Sequence, residues 1–291
     1  MRVVFYTSST SGVGRLVTGM SIGNALQRRG VPCKYTIVHS SPMGHLAEDF
    51  ATVRVPVETE EELSPARSRK SVLFKTLSKL KPDVLLVNHT WFMVHSFIAG
   101  LPGKKLYLSD QAFDGHFRVP LPSGELVFDP GRYDRVIAIE PFDSAVPMER
   151  INPLVLRNRD EILPREKALK RLGLDGSKPV ALYSLSGRPE YFDQFREKYS
   201  YLEGEGYDVV YTGTWSSSWI FPAVDYFNAI DLIVCGAGYN QVWEANFFAK
   251  KALFELLDVH FSDQRLRLSA SENFHFDING ADQLADIIIG I

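Results

Sequence analysis

The chain has 291 residues, more than the roughly 100–150 residues of one ordinary domain, so two domains are expected. Hydrophobic residues make up 45% of the sequence and charged residues 23%, a balance that excludes a disordered chain. The formal net charge of −3 gives no indication of bulk nucleic-acid binding.

Short runs rich in β-branched residues alternate with amphipathic stretches along the first half, which is the pattern of parallel α/β units. Strands are predicted at residues 3–7, 33–39, 53–57, 83–88, 105–108, 136–139 and 154–156. Helices are predicted at residues 14–29 and 71–80, and Gly30 is the expected stop of the first.

A polar segment that ends in proline, Arg157-Asn-Arg-Asp-Glu-Ile-Leu-Pro164, interrupts this alternation and is interpreted as a linker. Strands are then predicted at residues 180–184, 209–212, 231–235 and 252–256, and helices at 190–203, 221–229, 239–249, 261–269 and 281–289. We therefore predict two Rossmann-like α/β domains, residues 1–157 and 158–291, that face a cleft.

The cysteines and the chain ends indicate the cellular compartment in which the protein is expected. Cys33 and Cys235 lie in apolar runs and are interpreted as small buried side chains, not as a disulfide or a metal site. The N-terminal apolar stretch is too short for a signal peptide, and no run approaches the roughly 18–20 apolar residues of a membrane span. A cytoplasmic location is expected, with the apolar tail 287–291 closing a core and peripheral membrane contact left open.

The loop between the first strand and the first helix is rich in glycine. Gly12 and Gly14 permit tight turns, and the helix start offers free N–H groups to an anion. Gly19 follows Gly14 by five residues instead of three, so the dinucleotide fingerprint is absent. No carboxylate follows the second strand, and no Gly-Lys-Ser/Thr occurs in the chain, so NAD and ATP are both disfavoured.

A second glycine-rich loop, Cys235-Gly-Ala-Gly-Tyr-Asn-Gln-Val-Trp-Glu244, joins a predicted strand to a predicted helix. Gly236 and Gly238 let the backbone approach a phosphate, and the amides of residues 239–241 open the helix at the same point. Glu244 follows in the next turn, where a carboxylate accepts hydrogen bonds from a ribose diol. A glycine-rich turn followed by one surface glutamate remains an equal alternative.

This second loop, followed by Ala249-Lys-Lys-Ala-Leu-Phe-Glu255 and Asp263-Gln264, resembles the donor-binding signature of family 28 glycosyltransferases. That family includes the peptidoglycan N-acetylglucosaminyltransferase and is related to the pseudaminic-acid UDP-sugar hydrolase. In the first half, Gly12-Val-Gly-Arg15 is similar to the family's Gly-x-Gly-His loop. The likeness touches most of the chain, and its specific part runs from Gly236 to Gln264.

The resemblance implies a GT-B fold and assigns donor-binding roles to individual residues. The diphosphate would lie near Gly236, Gly238, Tyr239, Asn240 and Gln241, beside the loop residues Ser186, Gly187 and Arg188. Glu244 would hold the ribose, Gln264 the donor sugar, and Thr214 and Trp215 would flank the base. A solvated position for Arg188 and a core position for Trp215 remain alternatives.

Candidate catalytic residues come from the first half. Where the family carries a histidine, this chain has Arg15, which stays protonated and is suited to clamp a phosphate or a carboxylate instead of acting as a base. His89, Asp110 and Asp114 each follow a predicted strand, and His89 suits a general base through its ordinary pKa near 6.5. A structural role for His89 and a turn-capping role for Asp110 stay open. His116 is interpreted as an ordinary surface or core residue.

The leading hypothesis is a glycosyltransferase that uses a nucleoside-diphosphate sugar, with UDP favoured, and an unknown small-molecule, lipid-linked or glycan acceptor. No metal or cofactor is expected, because the chain has no His-x-x-x-His, cysteine cluster or Asp-x-Asp. One alternative is a nucleotide-sugar hydrolase or epimerase of the same fold. Another is a degenerate, non-catalytic nucleotide-sugar-binding module. This alternative stays open because Arg15 and Ala249-Lys-Lys depart from the pattern of the family.

Overall fold

The computed structural model describes residues 1–9, 12–121, 124–185, 189–213, 219–257 and 263–291. The chain divides into two compact units, of which the first contains Met1–Leu154, Phe261–Asp263 and Gly280–Ile291 and the second Val155–His260 and Gln264–Asn279. Five residues with predicted donor-binding roles lie outside the described residues: Ser186, Gly187, Arg188, Thr214 and Trp215.

A parallel sheet forms the centre of the first unit. The strands of this unit are β1 (Arg2–Thr7), β2 (Lys34–His39), β3 (Ala51–Arg54), β4 (Val84–Asn88), β5 (Lys104–Ser109), β6 (Arg118–Leu121), β7 (Gly124–Val127), β8 (Arg135–Ala138) and β9 (Glu149–Arg150). Among the described residues the sheet order is β3-β2-β1-β4-β5-β8-β9, while β6 and β7 form a separate antiparallel hairpin. The central strands β1 and β4 are buried almost throughout because helices cover both faces of such a sheet.

The helices of the main part of the first unit are α1 (Gly14–Arg28), α2 (Glu60–Leu63), α3 (Pro65–Ser68), α4 (Val72–Leu80) and α5 (Trp91–Val94). Helix α1 packs unusually close to the sheet, because a Cβ on Gly19 would lie only 2.8 Å from the ring of Phe5. The helix ends at Arg28 and the chain turns away at Gly30, which has a φ of 62°, while the N–H of Val31 donates to the carbonyl of Leu26. The predicted stop at Gly30 is confirmed.

The second unit is built around a smaller parallel sheet. Its strands are β10 (Val180–Leu185), β11 (Asp208–Gly213), β12 (Leu232–Gly236) and β13 (Lys251–Glu255), in the order β11-β10-β12-β13 among the described residues. Its helices are α6 (Arg165–Leu172), α7 (Pro189–Lys198), α8 (Tyr201–Gly204), α9 (Tyr239–Phe247) and α10 (Gln264–Asn273). One hydrophobic core includes Tyr183, Phe195 and Val234, and a second surrounds Trp243 of α9.

The last helix, α11 (Gly280–Ile289), belongs to the first unit, whereas the predicted division placed residues 158–291 together. It packs against α1 through its apolar face, in which Leu284 and Ile288 are buried. An ion pair of 2.6 Å between Arg28 and Asp282 joins the same two helices. Among the described residues, no helix is long and apolar enough to cross a membrane.

Three predicted elements differ from the structure. The strand predicted at residues 154–156 is wrong, because the main-chain N–H and carbonyl of Val155 bond to the side chain of Asn279 instead of to a neighbouring strand. The helix predicted at 190–203 is divided into α7 and α8. The helix predicted at 221–229 is a 3-10 helix, Ala223–Ala229, that begins after Pro222.

Candidate functional site

Polar residues follow three neighbouring strands of the first unit at the carboxyl edge of its sheet. Ser8 follows β1, His89 follows β4 and Asp110 follows β5, while Arg15 lies in the first turn of α1. Ligands of open parallel sheets bind at this edge because the strand-to-helix loops meet there. The fold therefore brings together Arg15, His89 and Asp110, which lie far apart in the sequence.

These three residues form a hydrogen-bonded group, called here the Arg15–His89–Asp110 cluster. Nδ1 of His89 lies 2.8 Å from Oδ1 of Asp110, and Nε2 lies 2.6 Å from a terminal nitrogen of Arg15. The other terminal nitrogen of Arg15 donates to the carbonyl of Ser8 at 2.5 Å. Because a guanidinium only donates, Nε2 accepts from Arg15 and the imidazole proton lies on Nδ1, directed at Asp110.

The backbone of His89 has an uncommon conformation. Its φ is 63°, in the left-handed region that non-glycine residues seldom adopt. The N–H of His89 donates to the carbonyl of Leu108 at 3.2 Å, and the hydroxyl of Tyr107 lies 3.3 Å from the carbonyl of His89. Such backbone strain costs about 1–3 kcal/mol and clusters at functional sites.

His116, interpreted from the sequence as an ordinary residue, lies directly against the cluster. Its ring centroid is 4.6 Å from that of His89, and its Nε2 is 3.0 Å from the hydroxyl of Tyr107. A 3-10 turn, Asp114–Phe117, returns the chain to the site, and no sequence pattern indicated this turn. Asp114, the third candidate base, is instead exposed and pairs with Arg118 at 3.4 Å.

Burial and mutual charge determine the protonation of the cluster. Burial lowers the pKa of His89, partly offset by the carboxylate of Asp110. Burial alone would raise the pKa of Asp110, but the neighbouring His89 and Arg15 hold it well below its usual range. Burial lowers the pKa of His116 to about 3. At neutral pH the cluster thus contains a carboxylate, a guanidinium and a neutral imidazole.

In the second unit, the glycine-rich loop leads from β12 into α9. Gly236 ends β12, and Gly238 caps α9 with extended backbone, φ −69° and ψ 156°. A Cβ on Gly236 would lie 2.7 Å from the side chain of Leu257, and one on Gly238 would lie 3.1 Å from Oε1 of Gln241. Glycine is therefore favoured at both positions because a larger side chain would meet Leu257 or Gln241.

Two glutamines hold the loops around α9. Nε2 of Gln241 donates to the carbonyl of Ser184 at the end of β10, over 2.6 Å. Gln264 is buried, and its amide accepts from the N–H of Leu257 at 2.9 Å and donates to the carbonyl of Leu257 at 3.0 Å. The amide of Gln264 thus fixes the chain after β13. Its assignment to the donor sugar stays a prediction.

Glu244 lies in α9, close after the glycine-rich loop. It is half-buried, and its carboxyl group accepts a hydrogen bond from the main-chain N–H of Leu156. Burial raises the pKa of Glu244 to about 8, against the effect of that hydrogen bond. The group is therefore mostly protonated at neutral pH, when it both donates and accepts hydrogen bonds.

Arg267 in α10 was not singled out from the sequence. Its side chain is 1% exposed, it donates to the carbonyl of Ala237 at 3.0 Å, and its guanidinium carbon lies 5.7 Å from the ring centroid of Tyr239. Arginines in polar helices are usually exposed, so the helix pattern alone gave no signal. This contact places the guanidinium of Arg267 on the buried side of the glycine-rich loop.

The cysteines carry no disulfide. Cys235 is a free, buried thiol in β12, as expected, whereas Cys33 is free and only half-buried, unlike the buried side chain expected from its apolar run. Within the part of the chain that the structure describes, no group of three or more His, Cys, Asp or Glu side chains is placed to hold a metal ion.

Comparison with known proteins identifies the fold. No protein-family model matches the sequence, and no curated protein is similar to it in sequence. The glycosyltransferase SsfS6 of Streptomyces sp. SF2575, solved with thymidine diphosphate, is 13% identical with a TM-score of 0.60, and the match covers 100% of each chain. MurG of Acinetobacter baumannii is 12% identical with a TM-score of 0.56, over 100% of this chain and 99% of that one. The spinosyn forosaminyltransferase SpnP is 14% identical with a TM-score of 0.63, over 99% of this chain and 90% of that one.

These structures are GT-B glycosyltransferases, and the likeness spans the whole described chain. The predicted α/β class and the predicted likeness to GT-B glycosyltransferases are confirmed at the level of the fold. At this identity the comparison shows the fold alone, so the activity rests on the residues themselves.

Proposed function

We propose that the protein is a glycosyltransferase that moves a sugar from a nucleoside-diphosphate donor to a hydroxyl group of an acceptor. The observation that carries this proposal is the hydrogen bond between Asp110 and His89 at the carboxyl edge of the first sheet. Oδ1 of Asp110 lies 2.8 Å from Nδ1 of His89, and the two side chains are only 14% and 7% exposed, respectively. The fold shared with GT-B glycosyltransferases supports the same reaction class.

In this proposal His89 is the general base. Asp110 keeps the proton on Nδ1, so Nε2 carries the lone pair that, once Arg15 releases it, takes the proton of the acceptor hydroxyl. The acceptor oxygen forms a bond to the anomeric carbon as the bond from that carbon to the diphosphate breaks. The electron pair of the broken bond leaves with the nucleoside diphosphate, and the proton ends on Nε2 of His89.

The second unit is proposed to hold the donor. The N-terminal end of α9, where the helix dipole attracts anions, would bind the diphosphate beside Gly236 and Gly238. It would also stabilise the negative charge that the diphosphate gains as it leaves. Glu244 is proposed to hold the ribose hydroxyls.

The donor is proposed to carry UDP, the nucleotide that the sequence resemblance favours. Thymidine diphosphate is the second choice because VinC, SpnG and SsfS6 were each solved with it. UDP and thymidine diphosphate differ by the methyl group of the base and by the ribose 2′-hydroxyl, which thymidine lacks. A direct comparison of the affinities of the two diphosphates decides between them.

The position of Arg15 favours one alternative. Its guanidinium occupies Nε2 of His89 at 2.6 Å, the lone pair that a general base needs. For transfer, Arg15 must release Nε2, and an anionic group of the substrate is what would draw it away. If Arg15 stays in place, the protein is a nucleotide-sugar-binding module without transfer activity.

A thermal-shift panel of UDP, thymidine diphosphate, GDP, ADP, CMP and NAD tests the proposal. A ligand that binds only the folded state at about a hundred times its Kd adds about 2.7 kcal/mol of stability. We expect a selective rise of the unfolding midpoint with UDP or thymidine diphosphate, and release of that diphosphate when the matching nucleotide sugar is supplied together with a panel of hydroxyl-bearing acceptors. Release that needs no acceptor would indicate the hydrolase, and binding without release across the acceptor panel would indicate the non-catalytic module. A response to NAD alone would overturn the proposal.

A further inference from the structure

A buried arginine, Arg267, lies behind the glycine-rich loop of the second unit. It is 1% exposed, and a terminal nitrogen donates to the carbonyl of Ala237 at 3.0 Å. Ala237 is fully buried between Gly236 and the half-buried Gly238, so its carbonyl is held toward the interior. A charge-assisted bond of this kind is among the stronger hydrogen bonds of a protein interior.

The bond also determines where the next amide points. The peptide between Ala237 and Gly238 is trans, and in a trans peptide the carbonyl and the N–H point in opposite directions. With the Ala237 carbonyl turned to Arg267, the N–H of Gly238 is turned away from the buried side. It thereby joins the first-turn amides of α9 at the end of the helix that attracts anions.

The orientation of the Ala237–Gly238 peptide is easily lost because residue 238 is glycine. Because Gly238 has no Cβ, the Ala237–Gly238 peptide can rotate with little steric cost unless a partner holds it. A rotated peptide would present the Ala237 carbonyl to a bound phosphate, and carbonyl and phosphate oxygens repel each other. The guanidinium also lies over the ring of Tyr239, the first residue of α9, with 5.7 Å to the ring centroid.

We infer that Arg267 is a positioning residue for the donor, which holds the Ala237–Gly238 peptide so that its N–H binds the diphosphate. This inference rests on the proposed function. Arg267 acts through the loop and does not itself touch the ligand. Its effect is specific to the diphosphate, because the nucleoside part of the donor does not depend on this peptide.

The test compares UDP with uridine, which has the same nucleoside and no phosphate. UDP affinity is measured by titration calorimetry and uridine affinity by ligand-observed NMR, both on the full chain. We expect Arg267→Met and Arg267→Gln to weaken UDP binding at least about 10-fold, as for a lost hydrogen bond to a charged group. Uridine binding should stay within about twofold, and Arg267→Lys, which keeps a charged donor, should recover part of the loss.

Arg159→Met is the matched control. Arg159 also donates to a main-chain carbonyl of α9, that of Phe247 at 2.7 Å, and lies 4.7 Å from the Phe247 ring centroid, but at the opposite end of the helix. This variant should leave UDP affinity unchanged. The inference would be overturned if folded Arg267 variants lost affinity for UDP and uridine equally. It would also be overturned if their affinity for UDP were unchanged. If the wild-type protein binds neither UDP nor thymidine diphosphate, the proposed function fails instead.

Discussion

His89 takes its chemical character from the residues around it. Asp110 orients the imidazole, Arg15 occupies Nε2 and His116 packs on the ring, while the backbone is held at a φ of 63°. A histidine in a loop has none of these properties by itself. They arise because the ends of β4 and β5 lie side by side and the chain returns through His116.

We expect His89→Asn to reduce release of the nucleoside diphosphate from its sugar by about 100-fold or more, the usual contribution of a general base. Asparagine tolerates the left-handed backbone, so the variant should fold. The loss is measured by turnover of the nucleotide sugar that the thermal-shift panel selects. His95→Asn, a change outside the cluster, is the control, and unaltered turnover in His89→Asn would exclude His89 as the base.

Protonation of Glu244 makes the free energy of unfolding depend on pH in a defined direction. Its pKa is about 8 in the folded protein and about 4.5 in the unfolded chain, so between these values the folded state binds a proton that the unfolded state does not. The stability contributed by Glu244 is therefore present at low pH and is lost as pH rises toward 8. Glu244→Gln should raise the free energy of unfolding at pH 9 relative to the wild type and change it little at pH 4.5. Denaturant unfolding at the two values checks this, and an equal effect at both would contradict it.

At the scale of elements, two helices with the same hydrogen-bonded ending differ in the residue type that occupies the left-handed position. Helices α6 and α9 both end with the N–H of one residue bonded to the carbonyl five positions earlier: Leu174 to Leu169, and Lys250 to Ala245. This ending places one residue in the left-handed region. In α6 that residue is Gly173, with a φ of 74°, but in α9 it is Ala249, with a φ of 52°.

Ala249→Gly should therefore stabilise the protein by up to about 1 kcal/mol, because glycine has no Cβ to strain in the left-handed region. The reciprocal change in α6, Gly173→Ala, should destabilise it by a similar amount, and a Cβ at Gly173 meets no other atom within 4 Å. Both effects are measured as shifts of the urea midpoint at constant slope. Shifts of the same sign in the two variants would show that backbone strain is not the cause.

At the scale of the whole molecule, the chain ends in the unit where it began. Helix α11 packs against α1 and brings residues 280–291 into the first unit. Leu284 is fully buried in this contact, whereas Ile289 on the same helix is 55% exposed. Within the apolar tail 287–291, Ile288 is buried in the first unit but Ile289 and Ile291 are exposed, so the expectation that the tail closes a core holds for Ile288 and not for the tail as a whole.

Leu284→Ala should cost about 2–5 kcal/mol because it leaves a cavity in a packed core. Ile289→Ala on the exposed face should change stability by less than about 0.5 kcal/mol. Calorimetric unfolding of both variants tests the packing of α11. Equal midpoints would mean that α11 does not contribute to the folded core.

The α/β class, most strands and the glycine-rich loops followed from the sequence because they depend on near neighbours. Apolar runs of strand length, helical periodicity and stops such as Gly30 act within a few residues. His89 and Asp110 were singled out because functional side chains of parallel α/β sheets follow the strands, and Arg15 because it stands where the resembling family carries a histidine. Their catalytic roles stay predictions. The strand expected at residues 154–156 failed because Asn279, more than a hundred residues later, takes its hydrogen bonds.

The sequence by itself thus determined the α/β alternation and the loops where chemistry is placed, since hydrophobic periodicity and glycine act locally. Only the tertiary structure decided that Arg15 donates to Nε2 of His89, that His116 packs against His89 and that Arg267 donates to the carbonyl of Ala237. Each of these contacts joins residues 27 or more positions apart. Their formation depends on which strands become neighbours in the sheets and how the chain returns to them, and no local pattern contains that information.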